Sequence, residues 1–248
     1  MHLTAAAASI PGRRPYNEDA VCARADLGLF VVADGMGGYA GGELASRLAT
    51  DAIVELVART AADRDVTWPY RADPRLDPVA NELAVATRLA GARIAERRVG
   101  PLAQMGSTVV AARVDRRRGL IAIAHVGDSR LYRARAGRLE PLTTDHSLWA
   151  ELVAAGASPA EREAFPYRHV VTRALGTSAA EPSLRVEAIA PGDVFLLCSD
   201  GLSEVLPDDE VLAHLAVEPA VAAPALVEAA YAAGSRDNIS AVVVLVAP

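Results

Sequence analysis

The stretch that decides the fold runs from Leu29 to Ala45 and reads LFVVADGMGGYAGGELA. A short apolar run rich in β-branched residues ends at Asp34-Gly35, which predicts a buried strand followed by a turn. Five glycines fall within the next eight residues, and apolar residues at helical spacing follow over residues 41–60. The stretch therefore places a carboxylate at the end of a strand, directly before a glycine-rich entry into a helix.

The rest of the chain continues this mixture of short strands and a few helices. A second amphipathic pattern over residues 77–98 predicts a helix that pairs with the first, and another helical pair lies near the C-terminal end. Many links between strands are too short for crossover helices, which argues against an all-parallel sheet. We therefore expect an α+β fold, with two antiparallel sheets packed face to face and helices outside.

Composition narrows the class of protein. The chain has 248 residues, 52% of them hydrophobic, and a net charge of -6, which predicts a soluble globular protein with a sizeable core. The mixed, net acidic charge argues against nucleic acid or a membrane surface as the main partner. Cys22 and Cys198 form neither a zinc spacing nor a disulfide framework, so we expect a cytoplasmic protein, with a monomer as the default.

Carboxylates recur where the apolar runs begin or end. These acids are Glu18, Asp19, Asp34, Asp128, Asp200 and Asp237. A single Asp-Gly is ordinary turn chemistry, but acids at several strand ends gather at one rim of a sheet. Like charges repel, and burial strengthens the repulsion, so such a cluster is tolerable mainly when cations bind it. Oxygen ligands without His or Cys select Mg²⁺ or Mn²⁺.

Two such ions would explain how an acidic protein acts on a phosphate. Ions roughly 3.5–4 Å apart share a bridging water and lower its pKa, so that hydroxide forms near neutral pH. They also reverse the local field for an anionic substrate. Arg13 and Arg14, which precede the acidic pair Glu18-Asp19, offer a guanidinium fork that can orient the phosphate.

Seven motifs now identify a resemblance that covers almost the whole chain. They are RPYNED (14–19), VVADGMGGYAGGELAS (31–46), GST (106–108), AHVGDSRLYR (124–133), TTDHS (143–147), LLCSDGL (196–202) and SRDNISAVVV (235–244). In order and spacing they resemble the metal-dependent protein phosphatases, the protein phosphatase 2C family, in its bacterial form. The resemblance implies one catalytic domain over residues 1–248, a four-layer α/β/β/α sandwich, and a flap over about 145–176, where the strand pattern fails.

The same resemblance implies roles for individual residues. Metal ligands would be Asp34, which bridges two Mn²⁺ or Mg²⁺ ions, the Gly35 carbonyl, Asp200, Asp237 and, for a third and weaker ion that shares Asp200, Asp128. Glu18 and Asp19 would hold metal-bound water, with Asn238 beside them, and Arg14 would contact phosphate. The implied reaction is direct attack of a metal-bridging hydroxide on phosphoserine or phosphothreonine, without a phosphoenzyme. The implied partners are phosphoproteins and a cognate Ser/Thr kinase.

One position differs from eukaryotic members of the family, which carry a histidine after the Asp-Gly pair. Met36 stands there instead, as in bacterial relatives, and methionine has no proton to donate. We interpret His125 as a packed core residue and His146 as a capping or hydrogen-bonding residue. The group that protonates the leaving alkoxide is therefore left open by the sequence.

Three other interpretations are available. A dinucleotide-binding oxidoreductase would use the pattern Gly35-x-Gly37-x-x-Ala40, but Glu55, the acid at the right distance, falls inside a helical pattern. A cysteine phosphatase would need an arginine loop after Cys198, which is followed by an acid instead. A catalytically silent module that binds a phosphoprotein or a kinase would have no reason to keep all of these acids together.

Overall fold

The computed structural model describes residues 1–38, 40–63 and 65–248. The strands are β1 (His2–Ile10), β2 (Asp19–Arg24), β3 (Leu29–Met36), β4 (Gly106–Ser107), β5 (Val109–Asp115), β6 (Leu120–Val126), β7 (Arg130–Arg135), β8 (Arg138–Pro141), β9 (Ser183–Ala188), β10 (Val194–Cys198) and β11 (Ile239–Ala247). The helices are α1 (Ala40–Ala62), α2 (Pro78–Arg97), α3 (Leu148–Ala154), α4 (Asp200–Ser203), α5 (Asp208–His214) and α6 (Pro219–Ala232).

The strands form two antiparallel sheets. One has the order β1-β11-β10-β7-β8, and the other has the order β2-β3-β5-β6-β9, with the short β4 also pairing with β3. Every described ladder between named strands is antiparallel. The α+β class expected from the short links is thus confirmed.

Strand β3 shows why its sequence is a continuous apolar run. Leu29, Val31 and Ala33 pack into the cluster formed with α1 and α2, whereas Phe30 and Val32 face the other sheet. Because side chains alternate along a strand, a strand buried on both faces needs apolar residues at every position. Full burial of each larger side chain contributes about 1.5–3 kcal/mol, so β3 is a central element of the core.

The remaining core residues complete a four-layer sandwich. Side chains from both sheets meet between them, with Phe30 of one sheet and Phe195 of the other in the same buried cluster. Helices α1 and α2 cover the β3 sheet, and α6, with α4 and α5, covers the β10 sheet. This is the α/β/β/α arrangement implied by the resemblance.

Local signals explain the element boundaries. Helix α2 begins after Asp77, whose side chain accepts a hydrogen bond from the Val79 amide at 2.9 Å. The β7–β8 hairpin turns at Ala136-Gly137, and both residues have positive φ. Strand β9 was not expected from the sequence, because this strand at the sheet edge is largely exposed and lacks an apolar run.

The expected irregular excursion is present over residues 145–176, called the flap segment below. It contains α3 and a short 3-10 turn at Pro159–Ala164. No helix in the described ranges is both long enough and apolar enough to cross a lipid bilayer.

Candidate metal centre

The strand registers bring the predicted acids of one sheet to the same rim. Asp19, at the start of β2, lies directly opposite Asp34, near the end of β3. In the next pair of strands Val109 lies opposite Val126, so Asp128 follows β6 at the same end of the sheet. Paired carboxylates directly across a ladder are destabilising on their own, which is a first sign that a cation is expected here.

The other sheet supplies two more acids at this rim. Cys198, the last residue of β10, pairs with Ala241 near the start of β11. Asp200 follows β10 as the first residue of α4, and Asp237 precedes β11. The two acids therefore lie at adjoining strand ends.

Asp19 links the two sheets. Its Oδ2 atom accepts hydrogen bonds from the Ser199 hydroxyl at 2.8 Å and from the Ser240 hydroxyl at 2.6 Å, and both serines belong to the opposite sheet. Neither serine was singled out in the sequence, because this pairing joins residues about two hundred positions apart. The serines hold the Asp19 carboxylate at the junction of the two halves of the cluster.

The acids perturb one another strongly. Burial raises the pKa of Asp34 well above its ordinary value, and the carboxylates of Asp19, Asp200, Asp128 and Asp237 raise it further. Burial likewise raises the pKa of Asp19 and of Asp128 to about 7, and that of Asp200 to about 6. The repulsion expected from the sequence is therefore present in the folded chain, and it involves the same residues.

Several of these carboxyl oxygens lack hydrogen-bond partners within the described part of the chain. They are Glu18 Oε1, Asp19 Oδ1 and Asp200 Oδ1, each shielded from solvent. A buried carboxylate oxygen without a partner is costly, and a hard cation would satisfy it. Among the described residues, no group of three or more His, Cys, Asp or Glu side chains is placed so that it could hold a metal ion by itself. Mg²⁺ and Mn²⁺ accept backbone carbonyls and water beside carboxylates, so the oxygen-only chemistry of these groups fits either ion.

Two glycines allow the helix to approach the acids closely. A Cβ atom at Gly35 would lie 2.0 Å from the Gly42 carbonyl oxygen, and one at Gly42 would lie 2.7 Å from Glu18 Cδ. Any side chain at these positions would push the start of α1 away from the rim. The glycine-rich stretch therefore serves close packing around the carboxylates.

The GST motif holds the backbone of Asp34. The Thr108 amide donates to the Asp34 carbonyl at 2.8 Å, and the Ser107 hydroxyl donates to the same oxygen at 3.0 Å. Thr108 Oγ1 accepts from the Asp34 amide at 3.2 Å. The motif had no assigned role in the sequence, and its role here is to fix the residue at the centre of the cluster.

Arg14 lies at the cluster, and its neighbour Arg13 does not. The Arg14 guanidinium donates to Asp237 Oδ2 at 2.9 Å, and both side chains are well exposed. Arg13 instead lies over the Tyr231 ring, 5.7 Å from its centroid. Of the two arginines named from the sequence, Arg14 is therefore the one whose guanidinium contacts the acidic cluster.

A small cavity opens beside Arg14. It has a volume of about 250 Å³ and is lined by Arg14, Pro15, Tyr16, Glu18 and Gly38. Its walls combine a guanidinium with a carboxylate of the acidic cluster. It is therefore a concave place next to the acids where a phosphate group could enter.

Asn238 fixes the loop that carries these groups. Its Nδ2 atom donates to the carbonyls of Pro11 and Tyr16, at 3.0 and 2.8 Å, and its Oδ1 atom accepts from the Glu18 amide at 2.8 Å. The side chain is buried, and it spans from β11 to the loop before β2. Its position beside Glu18 agrees with the sequence interpretation.

The histidines and the cysteine lie outside this constellation. His125 and His146 stack with ring centroids 4.4 Å apart; the Gly127 amide donates to His146 Nδ1 at 3.1 Å, and His125 Nε2 contacts the Thr144 carbonyl oxygen at 2.9 Å. Burial lowers the pKa of His146 to about 4, so this ring is neutral near pH 7. Cys198 is fully buried, and burial raises the pKa of its thiol to about 12, which excludes a thiolate nucleophile.

The topology excludes a dinucleotide-binding site at the glycines. That site requires a parallel βαβ unit, whereas β3 is antiparallel to both β2 and β5. Glu55 lies within α1 and forms an ion pair with Arg93 at 2.7 Å, as a helix-surface residue.

Comparisons with known proteins agree with this geometry. The family described as Protein phosphatase 2C matches residues 14–229. Serine/threonine protein phosphatase PstP of Mycobacterium tuberculosis is 37% identical over 234 residues, which cover 93% of this chain and 42% of PstP. The chain thus spans less than half the length of that curated relative.

Solved structures extend the similarity to the fold. The crystal structure of the Mycobacterium tuberculosis phosphatase PstP/Ppp matches with a TM-score of 0.86 and 35% identity, covering 100% of both chains. The catalytic domain of PstP in complex with two manganese ions matches with a TM-score of 0.82 and 36% identity, covering 99% of both chains. The sequence match, the shared fold and the clustered carboxylates together show that the chain belongs to the protein phosphatase 2C family of serine/threonine phosphatases.

Proposed function

We propose that the chain is a metal-dependent serine/threonine protein phosphatase. The observation that carries the proposal is the set of buried carboxyl oxygens without partners, gathered beside an exposed arginine. The names of the relatives support this activity, and the two manganese ions of the related PstP domain support the choice of metal.

The proposal needs oxygen ligands for two divalent ions. We assign them to Asp34, the Gly35 carbonyl, Asp200 and Asp237, with Asp128 available to a third ion that shares Asp200. Mn²⁺ and Mg²⁺ both suit this ligand set. When bound, such ions supply positive charge to the phosphate oxygens and acidify a water molecule for direct attack on phosphorus, without a phosphoenzyme.

The protein's own groups prepare the substrate and the water. Arg14 is accessible enough to turn its guanidinium from Asp237 toward a phosphate group, which it would hold through two parallel hydrogen bonds. Glu18 and Asp19 each keep a buried oxygen free to orient a water molecule. Asn238 and Ser240 keep these two acids in place through the Glu18 amide and the Asp19 carboxylate.

Neither Met36 nor His146 protonates the leaving alkoxide in this proposal. Met36 has no proton to give, and the lowered pKa of His146 keeps that ring neutral at pH 7. The stacked histidines are engaged with Gly127, Thr144 and Ser183, so they serve the structure of the neighbouring loops.

The proposal is tested with Asp34→Asn and Asp237→Asn, together with the exposed α1 variant Asp51→Asn as a charge-matched control. Mn²⁺-dependent hydrolysis of p-nitrophenyl phosphate and of a phosphothreonine peptide should fall by more than about 100-fold in the first two variants only. Calorimetric Mn²⁺ titration should show weakened binding in parallel. Near-normal turnover in folded Asp34→Asn and Asp237→Asn proteins would refute the ligand assignment.

A catalytically silent binding module is the remaining alternative. It predicts that the wild-type chain binds Mn²⁺ and a phosphopeptide without releasing inorganic phosphate. Phosphate release by the wild type under the same conditions therefore decides between the two.

We further propose phosphorylated serine and threonine proteins as substrates, a cognate Ser/Thr kinase as the opposing enzyme, and a monomer acting in the cytoplasm. Quantitative phosphoproteomics of a deletion strain would identify the substrates. An unchanged set of phosphoserine and phosphothreonine sites would contradict the substrate class.

A further inference from the structure

The flap segment is closed at its base by backbone hydrogen bonds. The Leu148 amide donates to the Val170 carbonyl at 2.8 Å, and the Thr172 amide donates to the His146 carbonyl at 2.8 Å. Residues 149–169 project beyond this base. The base consists of these bonds and one isolated bridge between Ser147 and Val171, so other contacts must help to orient the projecting part.

The projecting part has a small aromatic centre of its own. Trp149 and Phe165 rings lie 5.7 Å apart, and Phe165 meets Tyr167 edge-on at 5.9 Å. Tyr167 is 60% exposed and Val170 is 44% exposed. The projecting part therefore packs around its own aromatic rings and exposes apolar surface to solvent.

One carboxylate outside the flap segment fixes this unit. Glu204 Oε1 accepts a hydrogen bond from Arg162 at 2.8 Å and another from His169 Nδ1 at 2.9 Å. Among the side chains that the structure describes, Glu204 is the residue outside the flap segment that forms side-chain hydrogen bonds with residues 149–169. Its side chain is 26% exposed, so these pairs are partly shielded from water.

Glu204 also belongs to the acidic rim. It ends the short helix that Asp200 begins, and its amide donates to the Asp200 carbonyl at 2.9 Å. Its charge is close enough to act on the cluster: after burial and nearer acids, Glu204 contributes to the raised pKa of Asp128. A single helical turn thus carries a proposed metal ligand at one end and the flap contact at the other.

We propose that Glu204 is a positioning residue that holds the projecting part of the flap segment beside the acidic cluster and thereby sets the affinity for phosphoprotein substrates. The proposal rests on the proposed phosphatase function. In this proposal a peptide that delivers its phosphate to the rim also contacts the flap segment, because Glu204 links that segment to the helical turn of Asp200. A small aryl phosphate is too short to make the same contact. Glu204 therefore affects the KM for phosphopeptides and leaves the turnover of small substrates unchanged.

The test uses Glu204→Gln, which keeps the shape of the side chain and removes its charge. We expect the KM for a phosphothreonine peptide to rise about fivefold, since the ion pair with Arg162 and the charge-assisted hydrogen bond with His169 are weakened, while kcat for p-nitrophenyl phosphate stays within about twofold. Arg162→Ala and His169→Ala should each give a smaller rise in the KM for the peptide. Combined with Glu204→Gln, neither substitution should raise this KM further. Glu210→Gln, an exposed acid in the first turn of α5, is the control.

A second measurement follows the flap without any catalysis. Trypsin should cleave after Arg162 and Arg168 faster in Glu204→Gln than in the wild type or in Glu210→Gln. Trp149 fluorescence, recorded with Trp68 replaced by Phe, should change in Glu204→Gln only. If the wild type hydrolyses neither substrate, the proposed phosphatase function fails, and these two measurements still decide whether Glu204 holds the flap.

Two results would overturn the inference. Unchanged tryptic cleavage and fluorescence in Glu204→Gln would show that another contact holds the segment. A parallel loss of p-nitrophenyl phosphate turnover would show that Glu204 acts on the acidic cluster directly instead of through the flap.

Discussion

Removing one charge from the acidic cluster should stabilise the metal-free protein. Burial and the neighbouring carboxylates raise the pKa of Asp128 from 3.8 to about 7. At pH 8 the carboxyl of Asp128 is ionised in both states, but in the folded chain burial and the neighbouring carboxylates make the ionised form unfavourable. At about 1.36 kcal/mol per pH unit, the penalty is about 4 kcal/mol. Asp128→Asn keeps the size of the side chain and cannot ionise.

We therefore expect Asp128→Asn to raise the free energy of unfolding by about 2–4 kcal/mol at pH 8 in EDTA. For a chain of this length that is a rise in Tm of about 5–15 °C. Because the pKa of Asp128 is raised in the folded protein, the stability contributed by its protonated carboxyl is fully present below pH 3.8. This contribution is lost as the pH rises through about 7. The advantage of the variant should accordingly vanish at pH 4.

Thermal melts followed by circular dichroism at pH 4 and pH 8 check this, with Asp51→Asn as a control for the loss of an exposed charge. Excess Mn²⁺ at pH 8 should narrow the difference, since a cation relieves the repulsion in the wild type. Equal stabilities at pH 8, or an advantage that persists at pH 4, would refute the reasoning that burial and the neighbouring carboxylates penalise the ionised form of Asp128.

Three further changes test other parts of the structure. Arg14→Ala should lower kcat/KM for a phosphopeptide about 10- to 100-fold with unchanged circular dichroism, and Arg14→Lys should restore only part of it, because a lysine cannot form the bidentate fork. Gly35→Ala places a Cβ 2.0 Å from the Gly42 carbonyl oxygen and should lower the free energy of unfolding, measured by urea denaturation, by more than about 3 kcal/mol. Gly41→Ala, whose added Cβ would make only ordinary contacts, should not lower it by that much. Ala136→Asn, at φ 50°, should gain about 1 kcal/mol and raise Tm by about 2–4 °C, and an unchanged Tm would contradict strain at the turn.

The sequence predicts the acids of the site well, because each acid marks the end of a locally recognisable strand. Asp34 and Asp237 flank continuous apolar runs, and such runs are visible without knowledge of their neighbours. The fold class follows from the same local signals, since the lengths of the links already exclude crossover helices.

The partners of these acids are less predictable, because they arise from contacts between distant elements. Ser199 and Ser240 are ordinary strand-end serines in the sequence, and only the packing of the sheets places both hydroxyls on Asp19. Glu204 is equally inconspicuous, since its two cationic partners come from an irregular segment. Strand β9 lacks an apolar run, and its strand conformation follows from pairing with β6.

The acidic cluster is divided between the two sheets, with Asp34 on one and Asp237 on the other. The spacing between the two halves of the cluster therefore depends on the thickness of the apolar layer that separates the sheets. Phe30 and Phe195 lie in that layer, remote in sequence from most of the acids. Interior volume thus controls the geometry of the acidic rim: enlarging or shrinking these side chains would change the distance between Asp34 and Asp237 without altering either acid.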